Sequence, residues 1–332
     1  MAMRIAPLWF VLACGGNAVP TTTDVDANPI DPAGGEIQPL HIAFTFHLEG
    51  TSLVADKTAF DRYVTNIRST AQVFHRNGAI ATWEAAEIVA KSKTFGVNIL
   101  KELEDGGDAI ALHANGVGYS PNDPNYTVQK MQTDLIALRA GIDELGVHVR
   151  DVSNICSSVD WVAAVRAAGF EAVTGVVDYC LKSLPDPGAT AAACASPDKC
   201  HTPYPHDTVS RSSSWYAASG ADWTTPADSG LLILPTMGAL PCAAEEAAGA
   251  VSPTMCPYGT DDIPAAMAEL DAAVAARQPG QVHSYVLVAS FGQTPNAQII
   301  EALFQQIKTK YIDTGIARWV GVPELIDRRT AK

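Results

Sequence analysis

The chain is short of positive charge: its 22 Lys and Arg stand against 36 Asp and Glu, a formal net charge of −14 over 332 residues. Nothing offsets phosphate repulsion at that balance, so nucleic acid and an anionic membrane surface are excluded as partners. Beyond its first residues it has no apolar run approaching the ~20 residues of a membrane-spanning helix. It has no close Cys-x-x-Cys pair, which argues against a structural zinc knot. No Gly-x-Gly-x-x-Gly follows a strand, so a dinucleotide fold has no support.

What is present begins at the N-terminus. Arg4 precedes an apolar run over residues 5–13 that ends in Val11, Leu12, Ala13, Cys14 and Gly15. The run is too short for a permanent span and has the charged start and small closing residue of a secretory signal. The other reading is a short buried helix with a chance cysteine. The string VLAC resembles the lipobox of bacterial lipoproteins, which implies a signal peptide over 1–13, cleavage before Cys14 and lipidation of its thiol. The protein is then expected to be exported and lipid-anchored at the cell envelope, touching the membrane through the lipid alone. Residues 14–38 are rich in Pro, Thr, Asp and Gly and read as a flexible tether. Six cysteines besides Cys14 (Cys156, Cys180, Cys194, Cys200, Cys242 and Cys256) form an even set that an oxidising compartment would pair. Cys194 with Cys200 and Cys242 with Cys256 are the cheapest local closures, but cysteines closing an excursion onto the main body are as plausible.

From residue 39 to 332 one domain is expected. Apolar runs suited to buried strands fall at 41–46, 79–83, 109–113, 148–152, 172–177, 231–234, 285–289 and 317–320, with amphipathic stretches between most of them. This alternation predicts parallel βαβ units, and the strand number favours a distorted (β/α) barrel of seven to eight strands over an open doubly wound sheet. Residues 178–230 show neither period. They read as a long Cys-containing excursion over one barrel mouth, with Trp215 and Trp223 as candidate sugar-stacking rings or as plugs of the loop's own small core. Trp83, at the expected end of the second strand, is a further candidate for substrate binding.

Reactive side chains in parallel barrels sit at the C-terminal ends of strands. There the chain has TFHLEG at 45–50, GDAIALHANG at 107–116, HVRDVSN at 148–154 and VLVASFG at 286–292. These segments resemble the motifs of the polysaccharide deacetylases of carbohydrate esterase family four, the NodB-type domain, over most of 39–328. The resemblance implies a divalent metal, a hydrolytic water and removal of acetyl groups from N-acetylated sugars. TFHLEG stands where the family has Thr-Phe-Asp-Asp-Gly, GDAIALHANGV matches the first half of its His-x-x-x-His motif, and Arg150 stands where its third motif places an arginine. His47 replaces the usual aspartate base, Val117 stands at the second histidine ligand, and Ser290 occupies the region of the last motif's histidine.

The residues support a related chemistry by themselves. His47 and Glu49 lie two apart on a strand end and share a face if the strand geometry persists. With His113 from a neighbouring strand they form a His/Glu/His set suited to zinc or another first-row divalent metal, which lowers the pKa of bound water and polarises a carbonyl. The catalytic candidates are His47, Glu49 and Arg150, the last orienting a carboxylate or binding an oxyanion. Asp151, Asn154 and Asp160 lie near a strand end and could replace a missing ligand, although helix capping suits Asp160 better. The expected function is a metal-dependent deacetylase acting on an acetylated polysaccharide. The alternative is a lipid-anchored carbohydrate-binding barrel that has lost catalysis.

Overall fold

Strand β1 (Leu40–Leu48) has the sequence LHIAFTFHL. Successive side chains leave opposite faces of a strand, so Leu40, Ile42, Phe44, Phe46 and Leu48 point one way and His41, Ala43, Thr45 and His47 the other. In the computed structural model, which describes residues 36–114, 126–157, 159–186, 188, 200–250, 256–292 and 294–330, the first set lies in the large hydrophobic cluster beneath the surrounding helices. Ala43 belongs to a separate, smaller cluster inside the barrel.

The remaining strands repeat this division. They are β2 (Ala81–Ala85), β3 (Ala109–His113), β4 (Asp151–Ser153), β5 (Ala172–Thr174), β6 (Trp215–Ala217), β7 (Leu231–Leu234), β8 (Ser284–Ser290) and β9 (Ala317–Trp319). The nine-stranded sheet runs β6-β7-β5-β4-β3-β2-β1-β8, with β9 pairing the start of β1. Every pairing is parallel except that of β6 with β7. Both faces are covered, as parallel sheets require. The helices are α1 (Lys57–Arg76), α2 (Ile88–Phe95), α3 (Ile99–Asp105), α4 (Val128–Asp143), α5 (Trp161–Ala167), α6 (Thr208–Arg211), α7 (Ala243–Ala247), α8 (Asp262–Ala275), α9 (Ala297–Ile307) and α10 (Val322–Thr330).

This is the expected α/β architecture on a parallel-dominated sheet, with one strand more than the sequence pattern shows, because the short β6 lies inside the excursion. The sheet does not close through a regular ladder between β7 and β8 among the described residues. Residues 236–239 bridge that seam instead: Met237 N–H donates to Val286 O at 2.8 Å and Val288 N–H to Gly238 O at 3.3 Å.

The barrel interior is graded along its axis. At the strand starts, Val322, Leu325 and Ile326 of α10 pack with Val320 against Ala43, Ala172, Leu232 and Val286, and Val322 N–H donates to Thr82 Oγ1 at 3.1 Å. That end is plugged with hydrocarbon. At the strand ends the inward positions are His47, Glu84, His113, Ser153 and Thr174. Two bridges brace this architecture, Cys156–Cys180 with Cα atoms 4.7 Å apart and Cys242–Cys256 at 5.1 Å. Cys200 is also disulfide-bonded. Cys14, Val117 and Cys194 lie outside the described residues.

Candidate metal centre at the barrel mouth

The parallel register aligns His47 of β1 with Glu84 of β2 and His113 of β3 with Ser153 of β4. All four are inward-facing, and the result is a cluster in which one ligand atom each from His47, Glu84 and His113 lies within 4.8 Å of the others. His47 Nε2 is 2.9 Å from Glu84 Oε2. His113 turns Nδ1 toward Ser153 Oγ at 2.8 Å and Glu84 Oε2 at 3.6 Å, and Nε2 toward Glu49 Oε2 at 3.3 Å. Glu84 Oε1 accepts from Thr174 Oγ1 at 3.0 Å.

Local backbone conformation delivers the outer members. Gly50 has φ 112°, a conformation open to glycine at little cost, and it turns the chain sharply just after Glu49. Asn154 holds φ 57°, uncommon for a residue with a Cβ. Its Nδ2 lies 3.3 Å from His113 Nε2. Ser290 uses the position where the family resemblance expects a histidine to donate from Oγ to Glu49 Oε1 at 2.7 Å.

Burial and charge sort these groups. The side chains of Glu84 and His113 are 1% and 2% exposed, whereas those of His47 and Glu49 are 16% and 31% exposed. Only the latter pair can meet a substrate entering from solvent. Burial alone raises a carboxyl pKa, but the His113 hydrogen bond and the neighbouring His47 and His113 charges outweigh it at Glu49, pulling it down to about 2. In Glu84 burial is likewise overcome by His47 and His113, and its carboxyl falls well below the usual range. Burial disfavours a charged His113, yet its close contacts with the Glu49 and Glu84 carboxylates lift it to about 9. Asp151 faces inward one layer deeper and is fully buried, with no hydrogen-bond partner for either carboxyl oxygen. Burial, with Glu84 nearby, raises its pKa well above that of an exposed carboxyl.

The structure brings together His47, Glu49 and His113 as the sequence expects, and adds Glu84, which sequence reasoning misses. The signal lies in strand parity: the expected strand stops at Trp83, whereas β2 runs to Ala85, and the alternation that turns Trp83 outward turns Glu84 into the mouth. Trp83 is accordingly not a substrate platform. It is 0% exposed, stacks on Phe46 with centroids 4.7 Å apart, and donates from Nε1 to Asp108 Oδ2 at 2.8 Å. Trp223 is likewise fully buried, packed against Trp161, Tyr204 and Trp215, and serves as the plug of the excursion. Trp215 is partly exposed and lines a separate groove.

Arg150 is also a correction. The expected strand 148–152 would place it inside β4, but β4 begins at Asp151, leaving Arg150 at the plugged end. There it donates to Glu171 at 2.7 and 2.9 Å and to Asp327 of α10 at 2.8 Å. It braces the plug and does not face the cluster. Asp160 caps α5, accepting from Ala163 N–H at 3.0 Å.

No family model and no curated protein matches the sequence. Among solved structures, a protein assigned as a polysaccharide deacetylase from Mycobacterium smegmatis superposes with a TM-score of 0.55 at 14% identity, covering 89% of this chain and 92% of its own. The 4-alpha-glucanotransferase from Thermococcus litoralis superposes with a TM-score of 0.52 at 12% identity over 88% of this chain, which spans 41% of that enzyme. The resemblance to polysaccharide deacetylases read from the motifs thus extends to the fold. At these identities it is the fold alone that is shared.

Proposed function

We propose that the chain is a metal-dependent deacetylase that hydrolyses an acetyl amide or ester on a polysaccharide. The observation that carries this reading is the convergence of His47, Glu84 and His113 at the barrel mouth, two imidazoles and a carboxylate with their ligand atoms within 4.8 Å. This donor set fits zinc or a similar first-row ion. Such an ion supplies Lewis acidity toward the acetyl carbonyl and acidifies water. Ser153 and Thr174 hold Glu84 from behind, the orienting role that outer groups play around ligands. Glu49, partly exposed and fixed by Ser290, is the group positioned to accept a proton from water. The imidazolium of His113 depresses its basicity, and a neutral His113 returns Glu49 toward the range of a useful general base.

A second reading has its own supporting observation. His113 lies between the Glu49 and Glu84 carboxylates, and a protonated His113 would pair with both without an ion, as suits a carbohydrate-binding barrel without catalysis. Elemental analysis and calorimetric zinc titration, followed by acetate release from N-acetylated and O-acetylated oligosaccharides, separate the two. A protein that takes up no metal and releases no acetate supports the binding reading.

The disulfide-bonded cysteines favour an oxidising, exported setting, and no described helix is long and apolar enough to cross a membrane. We extend this to a lipid on Cys14, with residues 1–13 as signal peptide, 14–38 as tether and 39–332 as the barrel domain. Cys14→Ser should shift the protein from the membrane to the soluble fraction of a bacterial host or block its processing. An unchanged membrane fraction removes the anchor from the reading.

A further inference from the structure

The excursion carries a groove of about 470 Å³ that shares no lining residue with the metal cluster. That volume falls in the ~300–1,000 Å³ range of small-molecule sites. Its walls include Tyr204, Val209, Trp215, Tyr216 and Arg329. The Trp215 ring is fixed: its Nε1 donates to Trp223 O at 2.6 Å, and its plane lies 18° from that of Trp223 beneath it. Tyr216 OH donates to Arg329 O at 3.1 Å. Val209 is 53% exposed, the most exposed large hydrophobic side chain among the described residues. Rigid aromatic faces with an apolar neighbour suit the C–H face of a pyranose, since such rings offer large contact area at little entropic cost.

Arg329 sets the charge of the occupant. Arg68, Arg76, Arg150, Arg211 and Arg328 each contact a carboxylate, whereas Arg139 and Arg277 are held by backbone carbonyls and Arg318 by His41. Arg329 forms no carboxylate pair among the described residues. Its Nη2 donates to the Ser214 carbonyl at 2.7 Å, and its buried Nε has no partner. A guanidinium without a carboxylate partner at the wall of an aromatic groove is locally complementary to a carboxylate, which guanidinium groups bind strongly. We infer that this groove is a second carbohydrate site that binds a uronic-acid-bearing oligosaccharide, with a sugar ring against Trp215 and its carboxylate at Arg329. The site would hold an acidic glycan chain on the protein independently of the metal centre, and it does not require that centre to be hydrolytic.

Calorimetric titration with tetragalacturonate and with neutral cellotetraose tests this on the full domain. The wild type should bind the acidic tetramer at least about tenfold more tightly, a difference of about 1.4 kcal/mol. Trp215→Ala should weaken that binding about tenfold. Arg329→Gln should bring the two tetramers to within about threefold of each other. Because Trp215 also packs on Trp223, the exposed Val209→Glu provides a second variant that leaves the core untouched, and its like charge should weaken tetragalacturonate at least about tenfold. His113→Ala should change nothing. Loss of binding in His113→Ala would place the ligand at the metal cluster and overturn the inference while leaving the deacetylase reading standing. Absence of binding, equal binding of both tetramers, or indifference to both Val209→Glu and Arg329→Gln would overturn it as well.

Discussion

His47 and Glu84 are 37 positions apart in the chain, yet His47 Nε2 and Glu84 Oε2 lie 2.9 Å apart because the parallel register sets the two residues side by side. This relationship makes Glu84 the carboxylate of the cluster. Glu84→Ala should therefore weaken zinc binding by more than about a hundredfold, since loss of a group merely orienting a ligand already costs about 10–100-fold. Glu49→Ala should cost less affinity and more turnover. Zinc titration and acetate release on both variants check the division. The reverse order of affinities would make Glu49 the ligand.

The placement of Arg150 and Trp83 away from the mouth yields opposite expectations for function and stability. Arg150→Ala removes partly exposed ion pairs and should cost about 1 kcal/mol or less, with zinc affinity unchanged. Trp83→Ala empties a fully buried site and should cost roughly 3–5 kcal/mol. Urea unfolding beside zinc titration distinguishes these outcomes from a direct role of either residue in the site.

The Cys156–Cys180 bridge closes a loop with a sequence separation of 24, for which chain entropy gives about 3 kcal/mol of stabilisation. Cys156 follows Asn154 by two residues, so the bridge also fixes the turn that presents Asn154 to His113. The double variant Cys156→Ser with Cys180→Ser should lose stability of that order and bind zinc more weakly. A stable variant with unchanged affinity would show that the turn holds itself.

Glu246, on α7, packs so closely on Gly238 that a Cβ there would lie 2.5 Å from its Oε2. Burial, with Glu269 nearby, raises its carboxyl from 4.5 to about 7. A carboxyl whose folded pKa lies above its unfolded value stabilises the fold fully below the unfolded pKa, and that contribution is lost as pH rises through about 7. Between about pH 5 and pH 8 the wild type should lose about 1–3 kcal/mol relative to Glu246→Gln, a tenfold change in proton affinity being worth about 1.4 kcal/mol before solvent screening reduces it. Denaturant unfolding at the two pH values measures it. Parallel losses in both proteins would assign the pH dependence to other groups.

Local pattern is enough to establish the elements of the barrel and the contents of its strand ends. Runs such as 109–113 and 231–234 are strands with the expected bounds, because short apolar segments between amphipathic ones leave a buried parallel sheet as their main solution. His47, Glu49 and His113 are legible for the same reason, each standing at the end of such a run. Which neighbours they meet depends on contacts across the sheet. Side chains alternate between the two faces of a strand, so extending a strand by one residue adds a side chain on the face opposite to the last one. That parity turns Glu84 into the mouth and Trp83 away from it, and the late start of β4 leaves Arg150 at the plug. The aromatic groove beside β6 is beyond sequence reach, because the excursion has no periodicity and its conformation is set by disulfides and by packing on Trp223, interactions between residues that no local pattern connects.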